Sequence, residues 1–451
     1  MNIKESIKNI VKRNIYVYKT ALKIIIVAKK VKSNISFPFK FFRKVFDVLA
    51  QNISYTFYHG LSRRRFFTNI DIKTTTRIDY LSFRDSRNKK RLLLSAVKLI
   101  VRAQLRIDLP NQTDTLFIKS MIRPDYNIFF ERVYNQWPGE KAKTDIEFRM
   151  GDQFLVVRLL KLLLYLPVFI KVYETGFYVS FYRYLRAVTY LSVLQNMHKC
   201  QIRNLVAFAD MQGVENMLVQ YFKSKGAQTI TLQHGLYVDY SSYENINKVN
   251  YENVVSDHFL AWGNETRELI QKYHPSVKIT VCGKPIDLTP PKEKEHHFTL
   301  VFDQNIFKEQ NRELIAIANE IARHTGLQIN VRLHPWNNKA EYEFDEEICV
   351  FDRSIEASQF VLGHTTSMIF ECMRSGIPAY KYRTEIPANV IDERLKFSDA
   401  DELMQCLENT KDFDFVEAGK YYLQYVGEES LEQYRRFFDR LMEDSMYNQI
   451  H

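Results

Sequence analysis

Two histidines stand where a folding chain would place reactive groups. Each follows a short apolar run and precedes a residue that interrupts pairing. Gln233-His234-Gly235 follows Thr229-Ile230-Thr231-Leu232, and Arg332-Leu333-His334-Pro335 closes a run that begins at Gln328. Such runs read as buried strands, with Gly permitting a sharp turn and Pro stopping the ladder. A neutral imidazole exposed there can take the proton of an acceptor hydroxyl, the role assigned to His234. It can also bind or protonate a phosphate oxygen, the role assigned to His334 with Arg332 beside it. Either ring could instead do no more than hydrogen-bond a loop carbonyl. A third group is Gly363-His364-Thr365-Thr366-Ser367, which runs into Met368-Ile369-Phe370-Glu371-Cys372-Met373. Thr and Ser cap helices, and the free N–H groups of a helix start attract phosphate. Plain capping would use the same residues. The last group is Trp262-Gly263-Asn264 with Gly283-Lys284-Pro285, where Lys284 either approaches phosphate or belongs to a hinge.

These motifs need a scaffold, and the hydrophobic pattern supplies one. Strands are predicted at 115–118, 205–209, 229–232, 258–262 and 278–281, with helices at 214–225 and 265–273 between them. Residues 285–294 carry Pro285, Pro290, Pro291 and two lysines, the composition of a linker. The alternation then restarts, with strands at 298–302, 328–333, 360–362 and 377–380, and helices at 309–324 and 366–374. A final helix is predicted over 431–442. Strands separated by helices of this length imply parallel sheets with right-handed crossovers. All four motifs then fall at carboxyl ends of strands, where open α/β sheets bind ligands. The reading is α/β with two Rossmann-like domains: a first domain over 111–287, a second over 288–451, and a basic helical extension over 1–110.

Charge separates that extension from the rest. The chain of 451 residues has a net charge of +10. Residues 1–50 hold twelve Lys or Arg and two acids, 12 − 2 = +10, so the remaining residues balance. A nucleic-acid binder would spread its basic residues over its folded surface. Here Ile3, Ile7, Ile10, Tyr18, Ala21 and Ile25 recur at helical spacing beside Lys4, Lys8, Lys12, Lys19 and Lys23, and Phe39 to Lys44 mixes aromatics with cations. Apolar burial plus attraction to anionic lipid would hold such a segment on a membrane surface; a solvated helix packed on its own protein is the other reading. The run from Phe154 to Ile170 is broken by Arg158 and Lys161 and falls short of a spanning helix. Five scattered cysteines without a C-x-x-C pair fit a reducing compartment and no zinc site.

Taken in order, His234-Gly235, Trp262-Gly263-Asn264 through Gly283-Lys284-Pro285, His334-Pro335 and Thr365-Thr366-Ser367 resemble the bacterial GT-B transferases that include CDP-glycerol glycerophosphotransferases, polysialyltransferases and capsule-assembly transferases. The resemblance covers about residues 200–385. It implies a GT-B-like fold in which the second domain binds a nucleotide-activated donor through Arg332, Gly363, His364, Thr365, Thr366, Ser367 and Glu371. Glu371 would accept from ribose hydroxyls or else form a surface salt bridge. It implies His234 as acceptor-side base, His334 at the donor phosphate, and a saccharide or lipid-linked acceptor at the inner face of the plasma membrane. No Asp-x-Asp pair follows a strand, so neither metal nor cofactor is expected. The loop departs from the Asp-Tyr-Ser-Ser type of the glycerophosphotransferases, and the acidic pair before Gly that serves as polysialyltransferase base is not found. The donor therefore stays open. A nucleotide-sugar 2-epimerase of the same fold and a non-catalytic scaffold of a polysaccharide assembly complex are the alternatives; the basic arm argues against the first, and two histidines at strand ends against the second.

Overall fold

The computed structural model describes residues 70–83, 103–107 and 110–450, apart from stretches of which 151–161, 241–244 and 387–390 are the longest. The amphipathic arm of residues 1–50 and the basic clusters at 63–65 and 87–91 lie outside the described residues.

The first sheet contains β1 (Ala103–Ile107), β2 (Thr115–Lys119), β3 (Lys141–Met150), β4 (Asn204–Ala207), β5 (Gln228–Leu232), β6 (His258–Ala261) and β7 (Lys278–Val281), in the order β1-β3-β2-β4-β5-β6-β7. Only β1, paired with β3, runs antiparallel. The second sheet contains β8 (His297–Val301), β9 (Gln328–Arg332), β10 (Cys349–Val350), β11 (Val361–Gly363), β12 (Ala379–Tyr382) and β13 (Lys396–Phe397), all parallel, in the order β10-β9-β8-β11-β12-β13. The helices are α1 (Ile72–Thr75), α2 (Arg77–Phe83), α3 (Pro124–Asn135), α4 (Leu166–Val172), α5 (Phe177–Leu194), α6 (Gly213–Lys223), α7 (Val249–Glu252), α8 (Asn264–Tyr273), α9 (Lys308–Thr325), α10 (Met368–Arg374), α11 (Ala400–Asn409), α12 (Phe415–Lys420) and α13 (Gly427–Ile450). These are the two Rossmann-like domains read from the sequence.

Why β2 reads as an unbroken apolar run is clear from its neighbours. Leu116 and Ile118 join Leu205 and Ala207 in a core with Leu185, Val188 and Leu191 of α5. Phe117 points the other way, into a core with Val206, Ile230, Leu232, and Phe129 and Phe130 of α3. A central parallel strand is covered on both faces, so it needs no polar alternation. The strand β3 was missed in the sequence because its lysines and acids hide the period of two in Ala142, Ile146, Phe148 and Met150. Also unread were β1, β10, β13, α7, α11, α12 and α3; the last begins at Pro124, where proline suits the first turn.

Both sheets change their direction of growth in the middle. In the first, β3 lies on one side of β2 and β4 on the other; in the second, β9 and β11 flank β8. Each reversal opens a crevice at the carboxyl ends of two adjacent strands. The chain also returns to its first domain at the end. Phe438 of α13 packs 4.9 Å from Trp137 and 6.3 Å, edge to face, from Phe117. The segment leading there crosses the ends of β6 and β7: Gln424 N–H donates to Trp262 O, Lys284 N–H to Tyr425 O and Gly427 N–H to Ile286 O. This crossing explains two glycines of the sequence motifs. A Cβ at Gly263 would stand 2.3 Å from Tyr422 O, and one at Gly283, where φ is +82°, 2.2 Å from Tyr425 O. Close backbone approach, not phosphate, fixes glycine at both positions.

Candidate active site

The first domain's crevice lies between the loops after β2 and β4. Glu215, on the first turn of α6 and fully buried, fills it. Its Oε1 accepts from Ser120 N–H at 2.7 Å and its Oε2 from Ala209 N–H at 2.7 Å. These are the strand-end amides that an incoming phosphate would use. Burial pushes the carboxyl up to about 7, against the three donors that pull it down.

His234 follows β5, as its spacing predicted, but it is buried rather than exposed on a turn. Gly235 beside it does not adopt positive φ, so glycine is not required there for shape; instead, open space lies where its Cβ would be. The ring packs edge to face on Tyr126, 6.1 Å between centroids, and lies 6.2 Å from Phe208. Its Nδ1 sits 3.0 Å from Tyr237 Oη. Burial and then the Arg123 guanidinium hold the imidazolium form down to about 3, so the ring is neutral at physiological pH. Burial also raises Tyr237 well above the ordinary phenol range.

In the second domain the equivalent crevice lies between the loops after β8 and β11. Its buried carboxylate is Asp303, which the sequence reading missed. Asp303 Oδ2 accepts from Thr365 N–H at 2.7 Å and Oδ1 from the Thr365 hydroxyl at 2.9 Å. Asn311 and Asn337 donate to the Asp303 carbonyl at 3.2 and 2.8 Å. Lys381, buried on β12, donates to the carbonyl of His364. Burial brings Lys381 down to about 8, opposed by Asp303 and by Glu265 of α8 in the first domain. Burial in turn raises Glu265 to about 8.

The residues expected to bind the donor divide accordingly. Gly363 and His364 are buried; the His364 ring pairs with the Thr384 hydroxyl at 2.8 Å and is held neutral, down to about 3, by burial and then Lys381. Thr365 is fully engaged by Asp303. His364 and Thr365 therefore shape the loop from beneath: the His364 ring is buried with Nε2 paired to Thr384, and half-buried Thr365 gives both its N–H and its hydroxyl to Asp303. Half-buried Ser367 donates to Glu371 at 3.1 Å. Thr366 accepts from Met368 N–H at 3.3 Å and keeps its hydroxyl proton without an acceptor among the described residues. Glu371 forms a 2.6 Å ion pair with Lys284, whose ammonium also lies 4.8 Å from the Trp262 ring. Lys284 is thus a tether between the domains. Arg332 is exposed at the end of β9, and its field reaches Cys372 of α10 and Glu356.

His334 is half-buried, and burial and then Arg123 lower its pKa, with Asp125 opposing. The two predicted histidines stand at strand ends of different sheets and feel the same guanidinium. Arg123 itself, just before α3, was missed, since nothing in its sequence context marks a cleft residue. Apolar contact joins the two sides as well, with Tyr237, Val238 and Tyr240 in one cluster with Phe307 and Ile386 of the second domain. Phe307 packs on His364 at 5.5 Å.

No family model and no curated protein matches this chain. Among solved structures it is similar to a mutant of S. aureus TarM in complex with fondaparinux, α-GlcNAc-glycerol and UDP, at 11% identity, TM-score 0.36, over 55% of this chain and 59% of that one. The chain thus spans well under two thirds of TarM. It is also similar to the wall teichoic acid polymerase TagF soaked with CDPG, at 12% identity, TM-score 0.39, over 85% of this chain and 100% of that one. A UDP-N-acetylglucosamine 2-epimerase from Rickettsia bellii matches at 10% identity, TM-score 0.40, over 74% and 96%. Likeness at this level does not carry an activity from one chain to another.

Proposed function

We propose that this protein transfers a glycosyl or glycerophosphate group from a nucleotide-activated donor to a growing bacterial surface polysaccharide of capsule, lipopolysaccharide or teichoic acid type. The supporting observation is the convergence of His234 and His334, from the strand ends of two Rossmann-like domains, on the field of Arg123. The donor sits on the second domain. A buried carboxylate takes strand-end N–H groups in both domains, Glu215 in the first and Asp303 in the second, but the second also presents the Thr366 hydroxyl, whose proton has no acceptor among the described residues. Gly363, His364, Thr365 and Asp303 set the loop's shape.

For His234 to act as base, its Nε2 must be unprotonated, so Nδ1–H donates to Tyr237 Oη. The phenol then fixes both tautomer and ring orientation. His234 Nε2 takes the acceptor proton as the hydroxyl attacks, and an anionic donor phosphate entering the cleft raises the ring's basicity. His334 donates to the departing phosphate, where fixed donors lower the barrier. We assign no metal or cofactor to this chemistry. The basic arm of residues 1–50 holds the enzyme to the anionic inner face of the plasma membrane. The test is to incubate the full chain with a panel of nucleotide-activated donors, with and without saccharide acceptors, and to measure free nucleotide. Release that requires acceptor supports the transferase. Sugar isomerisation without acceptor would make it an epimerase, and donor binding with no turnover under any condition would make it a scaffold.

A further inference from the structure

We infer that Arg123 binds an oxyanion carried by the acceptor, so that the acceptor is a phosphate- or carboxylate-bearing saccharide and not a neutral one. The substrate label rests on the transferase reading; the binding site does not. A guanidinium has five N–H donors. Three are used here: Nε–H and one Nη2–H go to Asp125 Oδ1 and Oδ2 at 3.0 and 2.5 Å, and one Nη1–H goes to Tyr126 Oη at 3.1 Å. The Arg123 Cζ also lies 4.1 Å from the centre of the Tyr126 ring. Two N–H groups remain without a protein partner among the described residues, one each on Nη1 and Nη2. They sit on neighbouring nitrogens, so together they can reach two oxygens of a phosphate or carboxylate. The side chain is 31% exposed, so the pair is held in place by Asp125 and Tyr126 yet reachable.

Although both histidines feel Arg123, direct contact assigns the ligand to the acceptor side. Tyr126, on which Arg123 stacks, is the same ring that packs against His234. The donor loop has its own cation, Lys284, tied to it through Glu371. Asp125 balances the charge of Arg123, so the site reads an anion by short directional hydrogen bonds more than by long-range attraction. Affinity should then change little with ionic strength, unlike that of an unpaired cation.

The experiment is saturation-transfer NMR on the full chain with glycerol 3-phosphate, glucuronate, glucose and UDP, comparing wild type with Arg123→Gln. Wild type should bind glycerol 3-phosphate and glucuronate and not glucose. Arg123→Gln should weaken the two anions by roughly 10- to 100-fold, the worth of a charge-assisted fork, and leave UDP within twofold. If Arg123→Gln does not fold, Arg123→Lys carries the same comparison, since it keeps the charge and loses the paired donors. Unchanged anion binding in the variant overturns the proposal, as does equal binding of glucose and glucuronate. Loss of UDP in place of the small anions overturns it too, by giving Arg123 to the donor. The phosphate and carboxylate arms separate the two acceptor chemistries. Because no turnover is needed, Arg123-dependent anion binding in a protein without transferase activity would sink the proposed function and leave this site standing.

Discussion

An Asp303→Ala protein loses the two hydrogen bonds that hold the loop after β11, and the structure sets the size of the loss. Thr365 N–H at 2.7 Å and the Thr365 hydroxyl at 2.9 Å both end on this buried carboxylate. Hydrogen bonds to a charged group contribute about 1.5–3 kcal/mol each. Buried Lys381 also loses an opposing charge that acts on it through space without a direct ion pair, a smaller further cost. The contributions overlap, so a loss of about 4 kcal/mol is expected. Asp303→Asn is the control: its Oδ1 can accept the amide and its NH₂ can donate to the rotated hydroxyl, leaving only the lost charge, about 1–2 kcal/mol. Removing that stranded charge by Lys381→Met in the Asn background should recover part of the deficit, a coupling that a double-mutant cycle isolates. Urea unfolding gives the totals, and amide hydrogen exchange at Thr365 gives the local effect. A stability change in Asp303→Ala of less than about 1 kcal/mol, with Thr365 as protected as in wild type, would refute the reasoning.

Four other outcomes follow. His234→Ala should lower turnover by about 10²–10⁴ while nucleotide binding persists, whereas His334→Ala should weaken nucleotide binding too; calorimetry beside a nucleotide-release assay tells them apart. Gly283→Ala should cost about 3 kcal/mol, because the new Cβ meets Tyr425 O in a backbone region hostile to L residues, and proteolysis should then free the segment from about residue 421 onward. Glu215 binds its proton up to about pH 7 when folded but only to its ordinary 4.5 when unfolded. The folded state therefore holds the extra proton between these values, and stability should fall by roughly 3 kcal/mol as pH rises through that window; Glu215→Gln should flatten that slope in unfolding measured at several pH values. Deleting residues 1–50 should release the protein from anionic vesicles at about 0.15 M salt, where the Debye length is roughly 8 Å, and a sedimentation assay in which the truncated chain still pellets would remove the membrane role.

The fold was legible because hydrophobic periodicity is local. Strands β2, β4 through β9, β11 and β12 lie in or beside their predicted positions, and the ends of α6 and α8 fall within a residue or two of those expected. What escaped was set by partners far along the chain. β3 alternates charge with apolar residues and gains its place only by pairing with both β1 and β2. The site divides in the same way. His234 and His334 announce themselves by following apolar runs. Asp303, Arg123 and Glu265 do not, since their meaning comes from Thr365, Tyr126 and Lys381, each at least three residues away and mostly far more. The glycines at 263 and 283 were visible but their cause was not: it is a segment some 140 to 160 residues later that crosses back over the strand ends.

That returning segment bears on how the cleft works. Residues 421–427 are bonded to the ends of β6 and β7, and Lys284, at the end of that same crossing, pairs with Glu371 beside the donor loop. Both Lys284 and the Ser367 hydroxyl donate to one oxygen of Glu371, Oε1. A donor ribose that needs Oε1 must loosen the tether between the domains, whereas one that takes only Oε2, or is held by the Thr366 hydroxyl and His334, leaves the tether in place. The two cases differ in a measurable way. With Lys284→Met, a nucleotide that uses Oε1 of Glu371 should bind several-fold more tightly, because that oxygen has been released, whereas a nucleotide that does not should bind as before or more weakly as the domains separate. Calorimetric titration of UDP and CDP into both proteins decides between them, and tighter binding of either would place Glu371 at the ribose.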